Sequence, residues 1–139
     1  QDDLRRTWAV ERPFELYLDG VVVSGRADVI YDEHDGVIDN LAIVDYKTAT
    51  GGEVHPLQLQ IYADAGRREG MTVGAAFVHD MATTTRHTVE VGEDAIADAE
   101  RTVIAAAQAV KERDFTPKPD VSKCASCDVR SVCGAARVA

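Results

Sequence analysis

Residues 42–47 read AIVDYK: three apolar positions, then an aspartate, a tyrosine and a lysine. On an extended strand, side chains two apart share a face, so Asp45 and Lys47 project together and Tyr46 points the other way. Ala42, Ile43 and Val44 mark a buried approach, and charges at the end of a buried strand cost free energy unless they are paired or bind a metal. A second carboxylate, Asp28, lies in the preceding apolar segment VSGRADVI. If the two segments are neighbouring strands, Asp28 and Asp45 converge near a strand end. Converging carboxylates repel, and a hard divalent cation with oxygen ligands relieves that repulsion. In this reading the Tyr46 carbonyl supplies a further oxygen. Lys47 stands beside the metal to orient a water or stabilise charge on a phosphate. The plain alternative is a surface ion pair on a strand.

The elements that must position these residues can be read from periodicity. Phe14, Leu16 and Leu18 alternate with Glu15, Tyr17 and Asp19, and Asp19-Gly20 turns the chain into VVVSGRADVIY. Asp-Glu-His-Asp-Gly at 32–36 is a second turn, leading to the strand LAIVDYK. After Gly51-Gly52 the period changes. Val54, Leu57, Ile61 and Ala65 recur at helical spacing to about Arg68, and Gly70 ends the segment. VGAAFVH at 73–79 is a short buried strand, and TRHTVEV at 85–91 a more exposed one. A second helix is expected from about Asp94 to Arg113, with Ile96, Ala99, Val103, Ala106 and Val110 as its apolar seam. Phe115-Thr116-Pro117-Lys118-Pro119 breaks it. The order β-β-β-α-β-β-α plus a tail predicts an α/β fold: an antiparallel meander, an α-crossover, and a mixed central sheet flanked by helices.

The length, 139 residues with 45% hydrophobic content, suits one compact core, and no apolar run reaches a membrane span. No secretory signal opens the sequence, which starts at Gln1, so the expectation is a piece of a longer polypeptide. The formal charge of -9 argues against a broad basic surface for nucleic acid. It is uneven, however: from Lys111 onward six basic and four acidic residues give net +2, leaving -11 on the first 110 residues. Such acidity fits a solvated face, a metal site, or a partner that itself holds any DNA. The three cysteines, Cys124, Cys127 and Cys133, all fall within CASCDVRSVC at 124–133. An odd, clustered set points to a reducing, cytoplasmic compartment and to metal ligation rather than disulfides.

The succession G-R-A-D at 25–28, D-Y-K-T at 45–48 and Q-L-Q-I-Y at 58–62 resembles the PD-(D/E)xK nuclease superfamily. The likeness is strongest to RecB-like nuclease domains fused to or partnered with DNA helicases in repair and recombination. It implies a restriction-endonuclease-like fold and hydrolysis of DNA phosphodiester bonds. It implies Mg2+ or Mn2+ held by Asp28, Asp45 and the Tyr46 carbonyl, with Lys47 as the catalytic lysine. Gln58 and Tyr62, four apart and so on one helix face, would position the substrate backbone or support Lys47; otherwise they are the edge of an amphipathic helix. The spacing C-x2-C-x5-C resembles the cysteine triplet that closes iron–sulfur members of that group. It implies a 4Fe-4S cluster on Cys124, Cys127 and Cys133 with a fourth ligand outside this chain. Zn2+ with a ligand such as histidine is the competing occupant.

The pattern also expects a histidine on an N-terminal helix and a fourth cysteine upstream, and the sequence opens instead at QDDLRRTWAVERPFEL. His34 (in a turn) and His55 (at a helix start) do not match that histidine, and Glu11, before the first strand, is read as a surface residue. The division expected is a nuclease core at 1–120, lacking that helix, and a cysteine-rich tail at 121–139. Two other functions stay open: a catalytically inactive nuclease fold that binds DNA ends or a partner, and a metal-cluster interaction domain with an incidental D-x-K.

Overall fold

A computed structural model describes residues 7–32, 40–48 and 55–137. Among them are five strands, three α-helices and a single 3-10 turn. The strands are β1 (Thr7–Leu18), β2 (Val21–Asp32), β3 (Leu41–Lys47), β4 (Val73–Asp80) and β5 (Thr85–Val89). The helices are α1 (Pro56–Arg68), α2 (Glu93–Lys111) and α3 (Val121–Ala125), and the 3-10 turn is Arg130–Val132. The sheet order is β1-β2-β3-β4-β5. The β1–β2, β2–β3 and β4–β5 pairs are antiparallel, and β3–β4 is parallel. This is the expected meander followed by a crossover through α1. The segments 33–39 and 49–54, which hold His34 and most of the second turn, lie outside the described residues.

Local chemistry explains most of these elements. Phe14, Leu16 and Leu18 are buried while Glu15 and Tyr17 are exposed, the signature of a strand with one face on the core. Asp19 and Gly20 both take positive φ, 44° and 74°, as a hairpin turn matched to the strand twist requires. β3 is buried from Leu41 to Asp45, as expected of a central strand with a parallel neighbour. Pro56 starts α1, where its missing N–H costs nothing. Past its C-terminus, Gly70 N–H bonds to the Arg67 carbonyl and Met71 N–H to the Gly66 carbonyl, a Schellman closure with Gly70 at φ 89°. Arg67 then donates to the carbonyls of Val73 and Val91, tying the helix end to the start of β4 and the chain after β5.

The core lies between one face of the sheet and α1, with the first turns of α2 added. Ile30, Ile43, Leu59, Ala63 and Ala76 are among its most enclosed members. Two expectations need correction. The apolar seam of α2 buries Ile96 and Ala99 and half-buries Val103, but Ala106 and Val110 are exposed. The described residues fall into two compact units that divide between 105 and 106, so the end of that seam belongs to the second unit. β1 also begins at Thr7, well before Phe14, so Glu11 lies inside the strand rather than ahead of it. Its alternation slips by one residue at Glu11, and the part before the slip turns the apolar Trp8 and Val10 outward, which hides it from a period-two reading.

α1 also buries a carboxylate. Asp64 is 7% exposed and pairs with Arg68 at 3.0 Å, one turn on; Arg68 reaches Glu100 of α2 as well. The Asp64 hydrogen bond, reinforced by both carboxylates against the cost of burial, holds the Arg68 guanidinium above its ordinary pKa. Arg68→Ala should destabilise the protein by on the order of 1–2 kcal/mol in urea unfolding, because Asp64 stays buried without its partner while Arg68 itself is half in water. Asp64→Ala added to that variant should restore part of the loss.

Candidate active site

β2 and β3 pair from Asp32↔Leu41 to Val29↔Val44, and there the ladder stops. One more step of the same register would set Asp28 opposite Asp45. Instead, Asp28 Oδ2 accepts the Tyr46 N–H at 2.9 Å. A side-chain carboxylate thus takes up a backbone donor of β3 just past the last β2–β3 pair. On the other side of β2 the ladder is interrupted at the same residue. β1–β2 pairing passes from Val10↔Val29 to Arg12↔Ala27 without a Glu11/Asp28 pair, and Glu11 has φ 52°. The buried positions of β2 slip phase there as well, from Ala27 to Ile30. Such irregularities re-aim a side chain, and here the side chain is that of Asp28.

Asp45 lies two residues beyond Ile43, on the face that carries the core, and is 7% exposed. Lys47 Nζ approaches Asp45 Oδ2 at 2.7 Å, with the lysine side chain about half exposed. The approach is not along a hydrogen-bonding direction, so this buried oxygen has an ionic neighbour but no hydrogen bond. Asp28, Asp45 and Lys47 are therefore gathered at one strand end, as the sequence suggested. Among the described residues no three His, Cys, Asp or Glu side chains form a group able to hold a metal, so the carboxylate contribution is this pair. Two carboxylates, one with an unsatisfied buried oxygen, are a donor set suited to a hard divalent cation completed by carbonyl or water oxygens.

Gln58 and Tyr62 come together as the spacing of four required: Gln58 Nε2 donates to Tyr62 Oη at 3.0 Å. Tyr62 is buried rather than presented to a substrate, and its ring packs on Phe14 with centroids 5.7 Å apart. Its oxygen also accepts the Arg26 N–H at 3.0 Å, two residues before Asp28. Beside Gln58 and Tyr62 opens a hollow of about 330 Å³ walled by Val23, Leu57, Ile61 and Val103, with His55 and Ser24 also lining it. Its apolar walls offer little to a phosphate. On the opposite face, Tyr31 Oη and Tyr46 Oη stand 2.6 Å apart and the His79 ring meets Tyr46 edge-on, an arrangement for which the sequence carried no motif.

The open end of β3 is propped from β4. Met81 N–H donates to the Lys47 carbonyl at 2.9 Å, and Asp80 Oδ1 accepts the N–H groups of Ala82 and Thr83. In the second unit, Asp120 caps α3 by accepting from Ser122 and Lys123 N–H. Cys124 is half-buried and accepts from Arg137 N–H at 3.4 Å, while Cys127 and Cys133 are exposed and all three are free. As arranged, the three sulfurs do not form a metal-holding set.

With the geometry in view, comparisons with known proteins become decisive for the family. A family model described as the PD-(D/E)XK nuclease superfamily matches residues 1–134. The chain belongs to that superfamily. Two solved structures share the fold of this PD-(D/E)XK domain. The crystal structure of SSO0001 superposes with a TM-score of 0.55 at 20% identity, over 91% of this chain and 59% of that one. A "Putative exonuclease" from Eubacterium rectale gives 0.55 at 15% identity, over 95% and 55%. The PD-(D/E)XK domain thus spans under two thirds of the length of either neighbour. A search of the curated proteins finds no match. Among the described residues, no helix is long and apolar enough to cross a membrane.

Two predictions follow from the contacts at the strand end. Asp28→Ala should cost about 1–3 kcal/mol in denaturant unfolding by stranding the Tyr46 N–H, whereas Asp28→Asn, which keeps an acceptor, should recover much of it. The Thr83 and Ala82 N–H groups hold the Asp80 carboxyl below its ordinary pKa. That stabilisation is complete above the ordinary carboxylate pKa and is lost as pH falls through the depressed folded value. Exchange protection of the Ala82 and Thr83 amides, measured by NMR, should therefore persist on acidification to the ordinary value and fall below it. Asp80→Ala should remove that step.

Proposed function

We propose that this domain is a divalent-metal-dependent deoxyribonuclease of the RecB-like type, acting within a longer helicase-associated protein of DNA repair or recombination. The observation that carries the reading is the meeting of Asp28, Asp45 and Lys47 where β2 and β3 part. Asp28, Asp45 and the Tyr46 carbonyl would hold Mg2+ or Mn2+. When bound, the cation supplies Lewis acidity toward the scissile phosphate and lowers the pKa of an attacking water. Lys47, on its flexible stem, can turn its ammonium from Asp45 toward a phosphate oxygen or a water, supplying positive charge where negative charge develops. Gln58 and Tyr62 act from behind, bracing β2 beside Asp28.

The division proposed is a nuclease core at 1–120 and a tail at 121–139, the tail holding a 4Fe-4S cluster through Cys124, Cys127 and Cys133 and a fourth ligand from elsewhere in the parent, with Zn2+ as the rival occupant. Loading would have to draw the sulfurs together from their present arrangement. Iron and zinc analysis of protein purified without oxygen decides between the two, and metal-free protein refutes both.

A second reading has a specific observation behind it. Lys47 already neutralises Asp45, and no third carboxylate joins the pair among the described residues. That arrangement suits an inactive module that binds DNA ends or a partner. Mn2+ titration and cleavage assays on the full-length parent and its Asp45→Ala variant distinguish the two. An active nuclease binds Mn2+ and loses metal-dependent cleavage by about 100-fold or more in the variant while its fold is kept. Cleavage unchanged by Asp45→Ala rejects the assignment, and no Mn2+ uptake by the parent selects the inactive module.

A further inference from the structure

Gly25 lies on β2, three residues before Asp28, and Tyr62 lies against it. A Cβ at Gly25 would stand 2.4 Å from Tyr62 Cε1, 2.5 Å from Oη and 2.8 Å from Cζ, far inside van der Waals contact. The ring end therefore occupies the space that any side chain at this position would take.

Tyr62 has little room to yield. It is 7% exposed, its ring rests on Phe14, and its oxygen accepts both the Arg26 N–H and Gln58 Nε2. Two donors thus converge on the phenol oxygen and fix its position. The Arg26 N–H matters because β3 pairs with β2 only as far as Val29. Beyond that point no other strand among the described residues pairs with this edge of β2, and the Tyr62 hydroxyl accepts the Arg26 N–H there. Arg26 is thus anchored from the helix side, while two residues later Asp28 crosses the gap to Tyr46 N–H.

We propose that Gly25 is a positioning residue. Its missing side chain lets the end of the Tyr62 ring reach β2 and pin the backbone at Arg26, which sets Asp28 at its place beside Asp45. The proposal deepens the nuclease reading above and rests on Asp28 as a metal ligand.

The test uses the full-length parent with Gly25→Ala, Tyr62→Ala, the double variant, and Gly66→Ala as a control. Gly66, one turn after Tyr62 on α1, is crowded by the movable end of a flexible side chain, Met71 Cε at 2.5 Å from its would-be Cβ, and not by the Tyr62 ring. Gly25→Ala should weaken Mn2+ binding and lower kcat by roughly 10- to 100-fold with KM nearly unchanged, as a small displacement of a reacting group does. In the Tyr62→Ala background, where the ring is gone, the same substitution should change kcat little further. Gly66→Ala, which the Met71 side chain can accommodate by moving aside, should leave kcat of the folded protein intact. A Gly25→Ala protein with native kcat and Mn2+ affinity overturns the proposal. So does a defect of equal size with and without Tyr62, or an equal loss of kcat in Gly66→Ala. A parent that neither binds Mn2+ nor cleaves DNA overturns the nuclease reading instead. The positioning role is then read from hydrogen exchange at the Arg26 amide, which Gly25→Ala should quicken and which stays slow if Gly25 does not act through Tyr62.

Discussion

Asp45 ends a run of buried residues in the central strand, and a carboxylate in that position has a desolvation cost that only a nearby cation or hydrogen-bond donors offset. Much of the surrounding structure can be understood as the arrangement that keeps this group tolerable. Lys47 supplies charge without a formed hydrogen bond. Asp28 is drawn to the same place by the Tyr46 N–H. β2 and β3 cease to pair there, which opens room between them and lets polar groups replace backbone partners. A site that binds a cation gains from being left short of satisfaction, since the missing interaction is then supplied by the ligand. The stability given up at Asp45 is of the kind that folds retain where function requires it.

Not all the carboxylates of the first unit are used in this way. Asp64 is as deeply buried as Asp45, yet it faces a guanidinium with hydrogen-bond geometry and sits on a helix away from the parted strands. Each carboxylate keeps one buried oxygen without a hydrogen-bond partner, so the difference lies in the cation: Asp64 has a directional partner on its own helix, and Asp45 an ammonium that makes no hydrogen bond.

Much of this architecture was legible in the sequence because it depends on local rules. Alternation around Phe14, Leu16 and Leu18, the Asp19-Gly20 turn and the change of period before α1 reported the meander and crossover in the right order. The D-x-K spacing placed Asp45 and Lys47 on one face, and the Gln58–Tyr62 interval brought those two together. What escaped were features fixed by tertiary contact. Burial along β1 slips phase by one residue at Glu11, and the part before it turns Trp8 and Val10 outward, so Glu11 looked like a residue before the strand. The seam of α2 runs on in sequence past the point where its residues are buried, because periodicity says which residues share a face and not how far a neighbour extends along it. The spacing put Tyr62 on a helix face with Gln58 but could not say how deep it lies, since its burial follows from the closeness of α1 to Gly25.

The crossover has a kinetic meaning. β1–β2 and β4–β5 are hairpins whose strands meet across short turns, whereas β3 and β4 can pair only after the chain has travelled through α1 and returned. Non-local pairing must bear its loop-closure entropy before its contacts repay it. Asp28 resides in the meander, Tyr62 in the crossover helix, and the turn that props Lys47 beyond β4. No single hairpin contains a finished site, so a nascent or partly unfolded chain carries the carboxylates without the frame that aligns them.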